Sequence, residues 1–328
     1  SIASSKVEGL QVGVRELARA EAKTATGGKT SPTAREILAN IDAMILAVEQ
    51  AAAVENFGVP EIVAIHERLM MHAPNKKIAG VIRTQQTWIG GNDYTPCGAD
   101  FVPPPPEAVS RLLDDLCGAI NDDRLPPIVQ AAMVHAQFET IHPFSDGNGR
   151  TGRALVHVVF RRRGIAPRFL PPISVIFAGA KQRYVAGLTR FRADGVEEWI
   201  AHFAAATVNA ARLARTYVKA VGAQQDGWRE QLRRTTNTLR ADAAAWAIID
   251  MLPAHPMISA PVAAAVTGRA KGRVYEAIEQ LVAVGVLLPL TGARRNRWWE
   301  AAGLLDLIAQ LEAGQLAPSI HATRSSGQ

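Results

Sequence analysis

Hydrophobic residues recur at helical spacing along most of this 328-residue chain. Apolar positions three or four residues apart predict helices with one buried face. Such spacing occurs in residues 1–22, 33–56 and 59–72, in EAVSRLLDDLCGAI, PPIVQAAMVHAQFETI and TGRALVHVVFRRRG, and on to about residue 220. The predicted buried face of residues 33–56 consists of Ile37, Ile41, Met44, Ile45 and Val48. The predicted fold class is therefore mostly α.

Residues 81–106 interrupt the helical pattern. β-branched and aromatic residues surround a Gly-Gly-Asn turn, which predicts a small β-hairpin or flap. The segment ends in Pro103–Pro106, which we interpret as a stiff connector.

The pattern changes again after about residue 220. Three short helices are predicted in AAAWAIIDML, SAPVAAAVTG and GRVYEAIEQLVAVG, followed by strand, turn and strand in VLLPL-TGARRN-RWWEA. This order predicts a winged helix-turn-helix. Basic residues that could contact DNA phosphates begin its third helix and occupy its turn: Arg269, Lys271, Arg273, Arg294, Arg295 and Arg297. Such modules also bind proteins or brace neighbouring domains, so DNA binding stays open.

Composition indicates the compartment of the protein and the kinds of partner it can have. Cys97 and Cys117 form no C-x-x-C pair and no disulfide framework, which favours a reducing, cytoplasmic compartment. No apolar run reaches the roughly 18 residues of a membrane helix, so no membrane partner is expected. The first ten residues do not have the pattern of a signal peptide. A net charge of +6 is compatible with a nucleotide or nucleic-acid partner.

The segment HPFSDGNGRTGR, residues 142–153, carries the densest chemistry. It contains G-x-G-x-x-G, the spacing of a dinucleotide-binding turn. A dinucleotide-binding turn of this kind follows a strand and has an acidic residue about 20 positions later. The preceding segment is predicted to be helical, and no Asp or Glu lies between Asp146 and Asp194. The dinucleotide interpretation is therefore rejected.

A different phosphate site fits these residues. Gly147 and Gly149 allow backbone N–H groups to converge at a helix N-terminus, which attracts anions. Arg150 and Arg153 are three residues apart and can reach the same anion. Asp146 is a hard oxygen ligand suited to Mg²⁺ beside phosphates.

Two further residues of the segment complete this interpretation. Asn148 can orient either a phosphate oxygen or the loop, and His142 can accept a proton near neutral pH. A single His before Pro is usually structural, and so is a Gly-Asn-Gly turn. The chemical coherence of these residues within twelve positions favours phosphoryl or nucleotidyl transfer.

These residues resemble a known family. HPFSDGNGRTGR matches the Fic motif H-P-F-x-[D/E]-G-N-G-R-x-x-R at every specified position. AGVIRTQQTWIGG and ADFVPPPP resemble the Fic flap, and HAQFETIHPF resembles the usual approach to the motif. The resemblance covers about residues 55–210. It indicates the subgroup with an N-terminal inhibitory helix and a C-terminal winged helix.

The resemblance implies a helical Fic core that transfers AMP from ATP to a Tyr, Thr or Ser hydroxyl of a protein and releases pyrophosphate. His142 would be the base, and Asp146 would bind Mg²⁺ with ATP as substrate. The remaining implied nucleotide contacts are Gly147, Asn148, Gly149 and Arg150 to the α- and β-phosphates, Arg153 to the γ-phosphate, and Tyr184 beside the adenine. The flap residues Trp88, Ile89, Gly90 and Gly91 would hold the target segment by strand-like pairing.

The start of the chain resembles a second motif of this family, [S/T]-x-x-x-E-[G/N]. Ser4, Glu8 and Gly9 match it, and the resemblance implies that Glu8 pairs with Arg153 and misplaces the γ-phosphate. Ser5 and Glu8 also fit a capping box, with Ser5 as N-cap of a helix. The downstream motif makes us favour inhibition.

The expected domains are an N-terminal helical region with the inhibitory helix (1–55), a Fic catalytic core (56–220), a linker helix with the winged helix-turn-helix (221–312) and a disordered tail (313–328). Alternative functions are another donor, removal of AMP, or a DNA-binding regulator that senses nucleotide through the Fic core. The expected partners are ATP and a target protein, which could be the chain itself. The sequence leaves open whether the protein forms a homodimer.

Overall fold

The computed structural model describes residues 2–24, 28–92, 94–165, 170–235, 240, 243–290 and 297–316. Within them the chain is mostly helical, as predicted, with one small sheet. The helices are α1 Ile2–Val7, α2 Val14–Thr24, α3 Pro32–Glu49, α4 Val59–Met70, α5 Pro106–Asn121, α6 Pro127–Ile141, α7 Asn148–Arg162, α8 Ile173–Gly179, α9 Lys181–Arg192, α10 Val196–Thr235, α11 Ala244–Met251, α12 Ala260–Thr267, α13 Lys271–Ala283 and α14 Leu304–Glu312. The strands are β1 Met257–Ser259, β2 Leu287–Leu290 and β3 Trp298–Ala301.

The chain divides into two compact units. The first comprises Ser1–Val12 and Ser31–Ala211, and the second comprises Gly13–Thr30 and Arg212–Gln328. These units follow packing, so the functional domains 1–55, 56–220, 221–312 and 313–328 remain proposals. Residues 317–328 of the predicted tail lie outside the described part of the chain.

Helix α7 lies at the centre of the first unit. It packs against α3, α4 and α6, and nearly every residue from Asn148 to Phe160 is buried. Helix α6 is buried around most of its circumference, which explains its largely apolar sequence. Because α7 cannot move without disturbing this core, residues at its N-terminus have fixed positions.

Two details of the helix predictions were wrong. Residues 1–22 form α1 and α2 with a break between them, because Gly9 adopts a left-handed φ of 85° and ends α1. Ile45 is 48% exposed, and the buried positions of α3 include Ile37, Met44 and Ala47. Ile45 follows Met44 by one residue, which places it about 100° around the helix and out of the core.

The predicted hairpin of residues 81–106 is reduced to two isolated antiparallel bridges in the described residues. Ile89 pairs with Phe101 within the segment, and Ile82 pairs with Phe144 of the motif at residues 142–153. The segment therefore touches the motif directly at its beginning. We call residues 82–104 the flap.

The second unit contains the three helices and two strands expected after residue 240. Strand β1, which was not predicted, joins them in an antiparallel sheet of order β1-β3-β2. The core of the unit includes Ile248, Val274, Leu281 and Trp299. Arg294 and Arg295 of the predicted wing lie outside the described residues.

No helix among the described residues is both long and apolar enough to cross a membrane.

Candidate active site

The loop between α6 and α7 carries the motif. Helix α6 ends at Ile141, and His142 follows with a left-handed φ of 48°. Gly147 precedes α7 with a φ of 77°. A Cβ atom there would lie 3.0 Å from Met70 Sδ and 3.2 Å from His66 Nε2, so both its conformation and its space require glycine.

Asn148 holds the loop in shape. The backbone N–H of Phe144 donates to Asn148 Oδ1 over 2.9 Å, and Asn148 Nδ2 donates to the Phe144 carbonyl over 2.7 Å. The Asn148 side chain is thus engaged with the loop, which is one of its two predicted roles. Phe144 is fully buried and anchors the loop in the core.

His66 supports the same loop from α4. Its ring stacks on Phe144 with centroids 3.6 Å apart. The Gly80 N–H donates to His66 Nδ1 over 3.0 Å, so Nε2 carries the proton and donates to the Asp146 carbonyl over 2.9 Å. Burial lowers the pKa of His66 to about 4, which keeps this neutral tautomer in place at physiological pH.

Burial and nearby cations keep His142 neutral at pH 7. Burial lowers its pKa to about 4. The charges of Arg192 and Arg83 lower the pKa further. A neutral imidazole at pH 7 can accept a proton without first losing one.

Buried Arg150, in the first turn of α7, lies close to exposed Asp146 of the preceding loop. Arg150 is 4% exposed, and its Nη2 lies 3.7 Å from Asp146 Oδ1. Its Nε and Nη1 atoms are buried and have no hydrogen-bond partner among the described residues. A buried guanidinium with unused donors beside a helix N-terminus fits a phosphate group.

Arg153 binds the N-terminal segment through two of its three nitrogen atoms. Its Nε donates to Ser4 Oγ over 2.9 Å, and its Nη2 donates to the Ser4 carbonyl over 2.8 Å and to Glu8 Oε1 over 2.7 Å. Arg153 is fully buried. Burial raises the pKa of Glu8, but the charge and hydrogen bond of Arg153 outweigh it and hold that pKa below its ordinary value. Glu8 is therefore ionised at neutral pH.

Gly9 sets the position of Glu8 at the end of α1. The Leu10 N–H donates to the Ser5 carbonyl over 3.1 Å, and the Gly9 N–H donates to the Lys6 carbonyl over 3.0 Å. This pair of bonds around a left-handed glycine is a Schellman motif, with Glu8 as C-cap. The capping-box alternative is wrong: Ser5 lies inside α1, and its Oγ accepts a hydrogen bond from Asn40.

Glu8 also lies against Gly149. A Cβ atom at position 149 would collide with Glu8 Oε1 and would lie 2.9 Å from Arg153 Nη1. Gly149 thus gives the carboxylate room to approach the first turn of α7. Sequence reasoning had assigned this glycine to phosphates alone.

Comparison with known proteins locates this motif within a domain family. The Fic/DOC family model matches residues 56–160, which span α4 to α7 and the whole motif loop. The chain carries a Fic/DOC family domain. Protein adenylyltransferase fic-1 of Caenorhabditis elegans is 34% identical over 120 residues, which are 36% of this chain and 22% of that protein.

Further relatives agree with this assignment. Protein adenylyltransferase Fic of Culex quinquefasciatus is 32% identical over 152 residues, covering 45% of this chain and 28% of that protein. The chain thus spans about a quarter of the length of these curated relatives. A Fic family protein from Desulfovibrio desulfuricans superposes with a TM-score of 0.54 at 18% identity, over 92% of this chain and 84% of that one. That likeness shows a shared fold.

Tyr184 lies in the core of the unit that holds the Fic/DOC domain. It is 3% exposed, and its hydroxyl lies 2.8 Å from His135 Nε2. Its ring stacks on Phe177 with centroids 4.5 Å apart. Tyr184 is thus part of the core of this unit, and its predicted contact with the adenine remains a proposal.

The flap residues occupy an accessible position beside the Fic/DOC motif. Trp88 Nε1 donates to the Asn92 carbonyl over 2.7 Å, and Ile89 N–H donates to the Phe101 carbonyl over 2.9 Å. Gly90 and Gly91 have left-handed φ angles of 76° and 72°. These contacts shape the turn, and the target-docking role of Trp88–Gly91 remains a proposal.

Sequence reasoning missed two residues that shape this Fic/DOC site. His66 was assigned no role from the sequence, because no local spacing links it to a loop 80 residues away. Arg83 was not singled out at all, although it is a charged residue in a segment of β-branched and aromatic residues. The only signal in the sequence was that no other charged residue lies between Lys77 and Asp93.

Proposed function

We propose that the protein is an autoinhibited protein adenylyltransferase that transfers AMP from ATP to a protein hydroxyl. The observation that carries this proposal is the pairing of a fully buried Arg153 with Ser4 and Glu8, directly behind a phosphate-binding loop. The names of the curated relatives, which share the Fic/DOC domain, support the reaction.

In the proposed reaction, His142 accepts the proton of the target hydroxyl. The hydroxyl oxygen forms a bond to the α-phosphorus, the bond from that phosphorus to the bridging oxygen breaks, and pyrophosphate leaves. The depressed pKa of His142 keeps the ring neutral before the reaction. Because the α6–α7 loop is fixed by Asn148 and His66, the base keeps its position.

The described residues fit a metal-bound nucleotide. Asp146 is exposed, with 64% of its side chain accessible, and it is the carboxylate next to the Arg150 donors that lack partners. No group of three or more potential metal ligands exists among the described residues. That donor set fits Mg²⁺ shared with phosphates, which the ion prefers to an all-protein site. Mg²⁺ would neutralise phosphate charge there.

Glu8 inhibits in this proposal by occupying the donors of Arg153. An arginine committed to Glu8 cannot hold the γ-phosphate, so ATP enters but its α-phosphate is misaligned for attack. Gly147, Gly149 and Arg150 would still hold the α- and β-phosphates, with the backbone N–H of Asn148 in place of its side chain.

Labelled ATP tests this function. Glu8→Gly protein incubated with Mg²⁺ and α-labelled ATP should acquire label, whereas γ-labelled ATP should give none. His142→Ala in the same background should abolish labelling. Labelling from the γ-position would instead indicate phosphate transfer, and loss of bound AMP from a modified protein would indicate removal of AMP.

DNA binding by the second unit is a second candidate function. Arg269, Lys271 and Arg273 are exposed at the start of α13, and Tyr275 beside them is 52% exposed. This is the end of a recognition helix that winged-helix proteins insert into the major groove. A shift assay with duplex DNA at low salt tests it, and unretarded DNA would exclude this function.

Cytoplasmic location and assembly complete the proposal. Cys97 and Cys117 are free thiols, as a reducing compartment requires. A homodimer is tested by light scattering across a range of protein concentrations.

A further inference from the structure

Arg83 is a buried cation, 3% exposed. Among the described residues, its side chain donates to backbone oxygens and pairs with no carboxylate. Its Nε donates to the His142 carbonyl over 2.8 Å, and its Nη1 donates to the Gln85 carbonyl over 3.2 Å. Its Nη2 donates to the carbonyls of Pro104, over 2.5 Å, and Ile141, over 3.3 Å.

The four carbonyls come from two parts of the molecule. Ile141 and His142 form the end of α6, at the catalytic base of the proposed reaction. Gln85 and Pro104 lie on the two legs of the flap, 19 residues apart. One guanidinium therefore closes the flap at its base and attaches it to His142. The Arg83 N–H reinforces the attachment by donating to the Pro143 carbonyl over 2.9 Å.

The chemistry of this position requires arginine. A guanidinium presents five donors in a planar fork, whereas an ammonium presents three donors from one point. Carbonyls at a helix C-terminus lack intrahelical donors and carry the negative end of the helix dipole, so a buried cation is stabilised there. His142 is also a non-glycine residue in the left-handed region, which persists only when its surroundings hold it.

A second arginine makes a similar connection. Arg192 on α9 lies over the Phe101 ring of the flap, 3.8 Å from its centroid. Its Nη2 donates to the Glu139 carbonyl, in the last turn of α6, over 3.2 Å. Both legs of the flap are thus tied to the same helix end.

We infer that Arg83 is a positioning residue that couples the flap to His142. A target bound to the flap then keeps a fixed position relative to the base. The inference rests on the proposed AMP transfer, in which the flap holds the target. It predicts that loosening Arg83 impairs the alignment of hydroxyl and base while ATP binding at α7 is retained.

Arg83→Lys in the Glu8→Gly protein tests this, with Arg162→Lys as matched control. Arg162 also donates to several backbone carbonyls, those of Ala52, Val54 and Glu55, but far along α7 from the motif loop. We expect Arg83→Lys to lower kcat for self-labelling with α-labelled ATP by on the order of tenfold to a hundredfold. The KM for ATP should be unchanged, and Arg162→Lys should leave both constants as in the parent.

Hydrogen exchange gives a second readout that needs no activity. The amides of Ile89, Phe101 and His142 should exchange faster in Arg83→Lys and not in Arg162→Lys. Unchanged exchange at these amides, or unchanged kcat, overturns the inference. If the parent shows no AMP transfer, the proposed function fails while hydrogen exchange still decides the coupling.

Arg192→Lys decides the matter if Arg83→Lys does not fold. This variant loosens the connection through Phe101 and leaves Arg83 in place. Faster exchange at Ile89 and Phe101 with a lower kcat supports the coupling, and parental values of both refute it.

Discussion

Replacing Gly9 with alanine should release the proposed inhibition without touching Glu8 or Arg153. Gly9 has a φ of 85°, and nothing lies within 4 Å of a Cβ atom placed there. The added methyl group therefore creates no clash, and its only cost is the left-handed backbone, about 1–2 kcal/mol. That cost weakens the docked state of α1 relative to the undocked state.

The expected gain follows from that cost. A shift of about 1–2 kcal/mol raises the undocked fraction roughly 5- to 30-fold. If only undocked protein is active, the rate of AMP transfer rises by the same factor, and it stays below the rate of Glu8→Gly. Gly9→Asn should give a smaller rise, because asparagine tolerates the left-handed region better. The assay is the initial rate of self-labelling with α-labelled ATP.

Gly164→Ala is the matched control. Gly164 ends α7 with a φ of 69°, and its Cβ position is also free of contacts. Two hydrogen bonds match those around Gly9: the Gly164 N–H donates to the Arg161 carbonyl, and the Ile165 N–H donates to the Phe160 carbonyl. This variant should lose similar stability without a gain in labelling. The reasoning is refuted if Gly9→Ala labels at the parental rate, or if Gly164→Ala gains as much.

Three further predictions concern the stability of the fold. Gly147→Ala should lower the free energy of unfolding by about 2 kcal/mol or more, because strain adds to a close contact with Met70 Sδ; a loss below about 0.5 kcal/mol in urea would contradict this. Asn148→Ala removes both bonds to Phe144 and should cost about 2 kcal/mol in the same experiment. Stability should fall as pH drops below about 6.5, by up to about 1.4 kcal/mol per pH unit for each histidine that the unfolded chain protonates and the folded chain does not. These histidines, whose pKa values burial lowers to between about 3 and about 4, are His66, His135, His142 and His157. Burial raises the pKa of Glu139 to about 7, so its protonation on folding offsets the destabilisation from about one of these histidines. A flat stability profile from pH 7 to 5 would refute the burial argument.

The proposed inhibition should not respond to pH in the physiological range. Glu8 has a lowered pKa, so its contact with Arg153 is fully present above the ordinary pKa of a glutamate and is lost only as pH falls through the folded value. The ratio of labelling by Glu8→Gly to labelling by the parent should therefore be constant between pH 6 and 8. A ratio that collapses within that range would show that another group controls the contact.

The helices and the motif loop were predictable from sequence because their signals are local. Helical spacing is a property of a dozen neighbouring residues, and the chemistry of residues 142–153 lies within one segment. The break at Gly9 was missed because, in sequence alone, a glycine that ends a helix cannot be told from one that a helix tolerates.

The contacts that complete the site depend on residues far apart in the chain. His66 reaches Asp146, and Arg83 reaches the His142 carbonyl, only because α4 and the flap pack against the α6–α7 loop. Neither residue has a spacing that marks it.

The most direct test of the account is the intact mass of parent and Glu8→Gly proteins after incubation with Mg²⁺ and ATP. The account predicts that Glu8→Gly gains the mass of one or more adenylyl groups, that the parent gains far less, and that Glu8→Gly with His142→Ala gains none. Equal modification of parent and Glu8→Gly would contradict the proposed inhibition, and modification without His142 would contradict the proposed base.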